Sequence, residues 1–187
     1  MTKTALLVMD YQNDILKIVE AKAATLLKNA KSVIQAAREA QIPVVYVQVA
    51  FRPGYPEVSP NNKGFAGLRS AKRMILGTEG AAIHDEVAPK EDEAVIIKHR
   101  VGAFFETDMA TVLRAKGIEH LILMGISTSG VILSTTRHAA DADFAITIVK
   151  DACADGDEEV HQTLMNKVFP RQAEIVTTET ILAEIRK

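Results

Sequence analysis

Six short apolar runs punctuate the chain, at residues 4–9, 43–49, 94–98, 119–125, 144–150 and 173–177. Two of them, Val44-Val45-Tyr46-Val47 and Ile146-Thr147-Ile148-Val149, are rich in β-branched residues, the pattern of strands buried on both faces. Between the first two runs, Val19, Ala23, Leu26, Leu27, Ala30, Val33, Ile34 and Ala37 recur at three- and four-residue spacing. That spacing predicts an amphipathic helix, with Pro43 just beyond its end. Asp108 to Lys116 reads as a second helix closed by Gly117, and further helices are expected at 131–141, 158–168 and 179–186. The alternation of strand and helix predicts one α/β domain over 1–187, a three-layer α/β/α arrangement around a mostly parallel six-stranded sheet with right-handed crossovers.

One segment breaks this rhythm. Residues 51–80 carry Pro53, Gly54, Pro56, Pro60, Gly64, Gly67, Gly77 and Gly80, and read as a long surface excursion. Loops of that length in compact domains are usually functional or serve association. The apolar stretch around Phe51 to Pro60 and the 61–80 excursion are therefore expected to cover a neighbouring subunit, making the protein a homo-oligomer, a dimer or tetramer.

Composition narrows the function. At 48% hydrophobic and 25% charged, the 187 residues describe an ordinary soluble globular protein. The formal net charge of -2 offers no basic surplus for phosphates, so no nucleic-acid partner is expected. The one basic cluster, Arg69, Lys72 and Arg73, reads as a solvated face. The apolar run at the N-terminus has the length of a strand, too short to span a membrane, and no membrane partner is expected. The lone Cys153 excludes an internal disulfide and fits a reducing cytoplasm. Neither CxxC, HExxH, Walker A nor GxGxxG occurs, which removes the main support for zinc ribbons, zincins, P-loop enzymes and Rossmann dehydrogenases.

In a parallel sheet, ligands bind beyond the carboxyl ends of the strands, near the point where strand order reverses. Asp10 ends the first run; a half-buried carboxylate there suits proton transfer, although it equally suits a turn or helix cap. Lys98 ends the third run, where it can hold a carboxylate and stabilise negative charge, or simply snorkel. Gly125-Ile126-Ser127-Thr128-Ser129-Gly130-Val131 joins the fourth run to a helix; its N–H groups can form an anion site, or it is a plain turn. Arg52 places a cation near the pocket mouth, suited to an anionic ligand, or holds the long loop. His99 and Arg100 add two further donors, of which alternation points one away.

The order Ala5-Leu6-Leu7-Val8-Met9-Asp10-Tyr11-Gln12-Asn13-Asp14, then Lys98 before Ala103-Phe104, then Gly125-Ile126-Ser127-Thr128, then Asp151-Ala152-Cys153-Ala154-Asp155 resembles the isochorismatase-like hydrolase superfamily. The resemblance runs from residue 4 to about 177 and covers nicotinamidases, N-carbamoylsarcosine amidohydrolases and isochorismatases. It implies a catalytic aspartate at Asp10 and a catalytic lysine at Lys98. By family analogy the amides of Ser127 and Val131 would form an anion hole, with a cis peptide at Ile126–Ser127; Gln12, Arg52, Thr128 and Ser129 are the expected substrate contacts. The family's cysteine lies six residues after the glycine of the strand-four turn, which here is Val131. Cys153 sits in the Asp-Ala-Cys-Ala stretch, where a small buried residue packs beneath the site.

The resemblance also supplies a metal comparison. Nicotinamidases ligate a metal through an aspartate and histidines in the loop after strand two, whereas this chain has Ala50-Phe51-Arg52-Pro53-Gly54-Tyr55-Pro56 and no histidine before His84. No metal or other cofactor is expected. The isochorismatases of the group resemble this chain in lacking the cysteine, and hydrolyse a vinyl ether by proton donation from the aspartate. They carry Gly-Val-Tyr-Ala-His where this chain has Gly125-Ile126-Ser127-Thr128-Ser129. The expectation is a hydrolase of a small, anionic molecule, with Asp10 as general acid/base and Lys98 as its electrostatic partner. The alternatives are a non-catalytic binding or scaffold member, and a serine-dependent hydrolase using Ser127 or Ser129.

Overall fold

In the computed structural model, which describes residues 3–186, the run Thr4–Met9 forms β1 and is buried along nearly its whole length. A strand paired on both edges and covered on both faces must be apolar where it is buried, and Ala5 to Met9 are. The other runs form β2 (Val44–Val49), β3 (Ala94–Lys98), β4 (His120–Ile126), β5 (Ala145–Ala154) and β6 (Glu174–Val176). All pairings are parallel, in the order β3-β2-β1-β4-β5-β6. The order reverses between β1 and β4, so a crevice opens beyond their carboxyl ends.

The helices are α1 (Asn13–Leu16), α2 (Glu20–Glu39), α3 (Lys63–Ser70), α4 (Met109–Ala115), α5 (Leu133–Asp141), α6 (Glu158–Thr163) and α7 (Thr178–Ile185). Helix α2 buries Leu26, Leu27, Ala30, Val33, Ile34 and Ala37, the stripe that the spacing predicts, and packs on β5 and α7. Gly117 takes a left-handed φ of 65° just past α4, a conformation that costs a glycine little. No helix among the described residues is long and apolar enough to cross a membrane.

The expected pattern is departed from in three ways. β5 runs on to Ala154 because it bulges: Leu123 faces Ile148, but Gly125 faces Cys153. The bulge is held from both sides, by Asn29 Nδ2 donating to Asp151 O (2.8 Å) and by Thr178 N–H donating to Asp151 Oδ1 (2.7 Å). The helix expected at 131–141 starts earlier, as a π-helical turn at Thr128–Ile132, and the one at 158–168 ends in another at Leu164–Val168.

The third departure is the 51–80 segment, which is an ordered subassembly rather than a bare excursion. Phe51, Tyr55, Val58 and Met74 bury themselves with Val49 in a second apolar cluster, onto which Phe65 and Leu68 of α3 pack. Asn62 caps α3 by accepting from Phe65 N–H (3.2 Å). The stretch from Phe51 to Pro60 therefore spends its large apolar side chains within its own chain. That leaves its large apolar side chains satisfied within the chain, apart from any contact with a second copy.

Gly125 sits where β1, β4 and β5 meet, opposite both Met9 and Cys153. A Cβ there would lie 2.4 Å from Met9 O. Cys153 is buried, and burial pushes its thiol up to about 12.

Two outcomes follow from this junction. Gly125→Ala forces backbone rather than a side-chain tip to move, and is expected to lower the unfolding free energy by about 1–3 kcal/mol, read as an earlier urea midpoint. With a thiol near 12, only about one Cys153 in ten thousand is thiolate at pH 8. An aromatic disulfide reagent should therefore leave the native protein unlabelled and titrate one thiol once urea unfolds it.

Candidate active site

Beyond the carboxyl ends of the strands lies a cavity of about 330 Å³. Asp10 and Lys98 form its floor, and Val131, Ile126 and Val49 flank them. The roof comes from the 51–80 subassembly through Phe65, Leu68 and Met74, and Ile15 closes the side. Ile18 and Val101, both well exposed, form the rim.

Asp10 leaves β1 with a left-handed φ of 58°, uncommon for a residue with a side chain but tolerated by aspartate. It caps no helix; the residue preceding α1 is Gln12. Instead Oδ2 lies 2.9 Å from Lys98 Nζ, and both side chains are almost fully buried. Lys98 does not snorkel. Its ammonium also donates to Arg100 O (3.1 Å) and Val101 O (2.9 Å), so all three of its protons are used. Asp10 Oδ1 is buried and has no hydrogen-bond partner among the described residues. Burial pushes the Asp10 carboxyl above the ordinary carboxylate range, against the opposing pull of Lys98.

The turn after β4 begins with a cis peptide between Ile126 and Ser127. Ser127, Gly130 and Val131 all line the cavity. Thr128 does not: it is fully buried with its hydroxyl 2.8 Å from His161 Nδ1. Ser129 is exposed, and both its N–H and its hydroxyl donate to Asp155 Oδ2 (2.7 and 2.6 Å).

The structure thus brings Asp10, Lys98, Ser127 and Val131 together and leaves Thr128 and Ser129 off the wall. Gln12 is also off it. Its amide donates to Val49 O and Ala81 O and accepts from Val49 N–H, so it clamps the ends of β1 and β2 to the loop before β3. Arg52 points into solvent and pairs with Glu57 rather than facing the cavity. His99 Nδ1 lies 2.7 Å from Ala50 O, and Arg100 donates to Glu57 O, so neither is free to serve the cavity.

Arg73 departs most from the sequence reading. It is not part of a solvated face with Arg69 and Lys72, which are exposed; it is half-buried and lines the cavity. Its Nε donates to Asp14 Oδ2 (3.2 Å) and its Nη2 to Asp14 O (2.8 Å). The one sequence signal for this turn is Met74-Ile75-Leu76, an apolar triplet at the end of a polar excursion. Among the described residues, no three His, Cys, Asp or Glu side chains lie grouped where they could share a metal ion.

A model of the isochorismatase domain matches residues 4–180. The ureidoacrylate amidohydrolase of Yersinia enterocolitica is 32% identical over 170 residues, covering 80% of this chain and 74% of that protein. The maleamate amidohydrolase of Pseudomonas putida is 26% identical over 160 residues, covering 86% and 74%. Among solved structures, a cysteine hydrolase from Pseudomonas syringae shares the fold with a TM-score of 0.90 at 21% identity, over 98% of this chain and 92% of that one. The N-carbamoylsarcosine amidase of Thermoplasma acidophilum superposes with a TM-score of 0.80 at 25% identity, over 95% and 98%. The domain match takes in all six strands and every residue of the cavity wall, and the chain belongs to the isochorismatase family of hydrolases.

Proposed function

We propose that this hydrolase cleaves a small anionic molecule by general acid–base chemistry at Asp10, with water rather than a cysteine thiolate as the nucleophile. The observation that carries the reading is that Asp10, a residue of the cavity wall, has an unpartnered Oδ1 beside an Oδ2 held by Lys98. With one oxygen fixed and the carboxyl pushed up by burial, Oδ1 is the atom that exchanges a proton with substrate. The resemblance puts the family's cysteine at Val131, which supplies no nucleophile.

On an enol ether, Oδ1–H protonates the alkene carbon and water adds to the resulting oxocarbenium carbon. The hemiketal then breaks to ketone and alcohol, and the water's proton returns to Oδ1. On an amide, water adds to the carbonyl carbon as Oδ1–H protonates the departing nitrogen, and the proton lost by water again restores Asp10. The amide N–H groups of Ser127 and Val131 are the donors proposed for the developing oxyanion. The names of the amidohydrolase relatives favour the C–N bond, and both describe anionic amides.

A serine mechanism has less support. Ser129 and its carboxylate partner lie off the cavity, and Ser127 Oγ is bonded to no base among the described residues. A second reading, binding without turnover, is favoured by Val131 itself.

A panel of small amides, ureides, esters and enol ethers tests the proposal. Asp10→Asn is expected to cut kcat at least about 100-fold, the scale of a lost general acid, while Cys153→Ala keeps most of it. Loss of activity in a folded Cys153→Ala protein sinks the reading. No turnover by the wild type, with a ligand still raising Tm, favours the binder instead.

The pH profile carries a sign. If Asp10 works as an acid, kcat/KM is highest below its pKa and falls as pH rises through it. Lys98 lowers that pKa, so Lys98→Met is expected to move the alkaline limb to higher pH. It should also cost about 3–5 kcal/mol of stability, because one charge of a buried pair is left without its partner.

A further inference from the structure

We propose that Arg73 is a grip for one carboxylate, so that the cavity takes short monocarboxylates with the anion at Arg73 and the scissile bond at Asp10. The placement of the scissile bond rests on the hydrolase reading above; the grip itself does not.

Arg73 reaches the cavity through a tight reversal after α3, in which Lys72 and Met74 both take left-handed φ (52° and 61°) and Arg73 N–H donates to Leu68 O (3.0 Å). Its two side-chain bonds go to a single residue, Asp14, which fixes the plane of the guanidinium. Nη1 has no acceptor among the described residues, which leaves one edge of the fork open. Asp14 is itself held, by Lys17 Nζ at 2.8 Å and by packing on Gly80, where a Cβ would lie 2.6 Å from Oδ2.

Charge counting points the same way. Asp14 and Lys17 stand behind Arg73 and off the cavity wall, and the one carboxylate serves both cations, so the Arg73 charge is only partly neutralised. At the floor, Lys98 and an ionised Asp10 cancel; a protonated Asp10 leaves a positive surplus. The wall between is Ile15, Phe65, Leu68 and Met74, whose low polarity strengthens an ion pair formed beside it. A planar fork matches the two oxygens of a carboxylate. The cavity, about 330 Å³, is near the lower end of the roughly 300–1,000 Å³ that ligand sites span, which sets the chain length short.

Succinamate and succinamide, which differ by a carboxylate against a carboxamide, read the grip. Arg73→Gln is expected to lower kcat/KM for succinamate by about 10- to 150-fold, the scale of a hydrogen bond to a charged group, and that for succinamide by less than about threefold. Arg73→Lys, which keeps the charge and loses the fork, should fall between. Asp14 is a positioning residue: Asp14→Asn should raise KM for succinamate at unchanged kcat and leave succinamide alone.

Binding is read separately with butyrate against chloride at equal ionic strength. Butyrate should raise the Tm of the wild type and not that of Arg73→Gln. Equal losses on both amides, or unchanged butyrate binding in Arg73→Gln, overturn the grip while leaving the hydrolase reading intact. If neither amide nor any panel compound is turned over, the hydrolase reading fails and butyrate binding alone decides the grip.

Discussion

A carboxylate and an ammonium 2.9 Å apart, both almost without contact with water, cannot persist unless their other hydrogen-bonding capacity is met. Lys98 meets this condition by drawing the carbonyls of Arg100 and Val101 onto its remaining protons. That curls the chain after β3 and puts Val101 on the cavity rim. Asp10 and Lys98 end strands that are not neighbours, because β2 lies between them. The pair therefore ties an edge strand to the centre of the sheet over the end of β2, where Val49 stands in register with Lys98. Gln12 makes a similar tie with its amide. Of the pair, the one atom left without a partner among the described residues is Asp10 Oδ1, on a residue that lines the cavity.

The strands were legible because a parallel sheet covered on both faces leaves few polar positions inside a run, here chiefly Gln48 and Thr147. All six runs appear within a few residues of where the pattern put them. Asp10 and Lys98 were legible for a related reason: a charged residue directly ending such a run must find a partner at the carboxyl edge. Gln12, Thr128 and Ser129 were expected at the ligand from their place beside these ends. Their polar atoms instead go to partners 37, 33 and 26 residues away, and no local pattern records a contact at that distance. Arg52 and Arg73 make the same point in opposite directions. Arg52, three residues past a strand end, pairs with a neighbour five residues on, whereas the arginine hidden in a basic run is turned inward by Asp14, 59 residues away.

The 51–80 segment was illegible as structure because little in it is decided locally. α3 contains two glycines and no fully buried residue, so its helix depends on Phe65 and Leu68 finding a cluster made by other parts of the chain. The turns that aim Met74 and Arg73 use left-handed backbone at Tyr55, Lys72 and Met74, residues that carry no signal for it. Packing of Phe51, Tyr55 and Met74 is what holds those turns in place, and the same packing roofs the cavity.

Val131 then matters for more than the sulfur it does not carry. A thiol at that place would need Asp10 as a base, an ionised carboxylate ready to accept a proton. A valine, with Val49 and Ile126 also flanking the floor, adds apolar surface beside the carboxyl, opposed by the Lys98 ammonium. Burial is the largest influence on Asp10, outweighing Lys98, and it favours the neutral form. On the reading proposed here, one substitution at the turn both removes the nucleophile and prepares Asp10 to give a proton instead of taking one. The direction of proton transfer is then set by the apolar wall, and Lys98 limits how far that wall can push it.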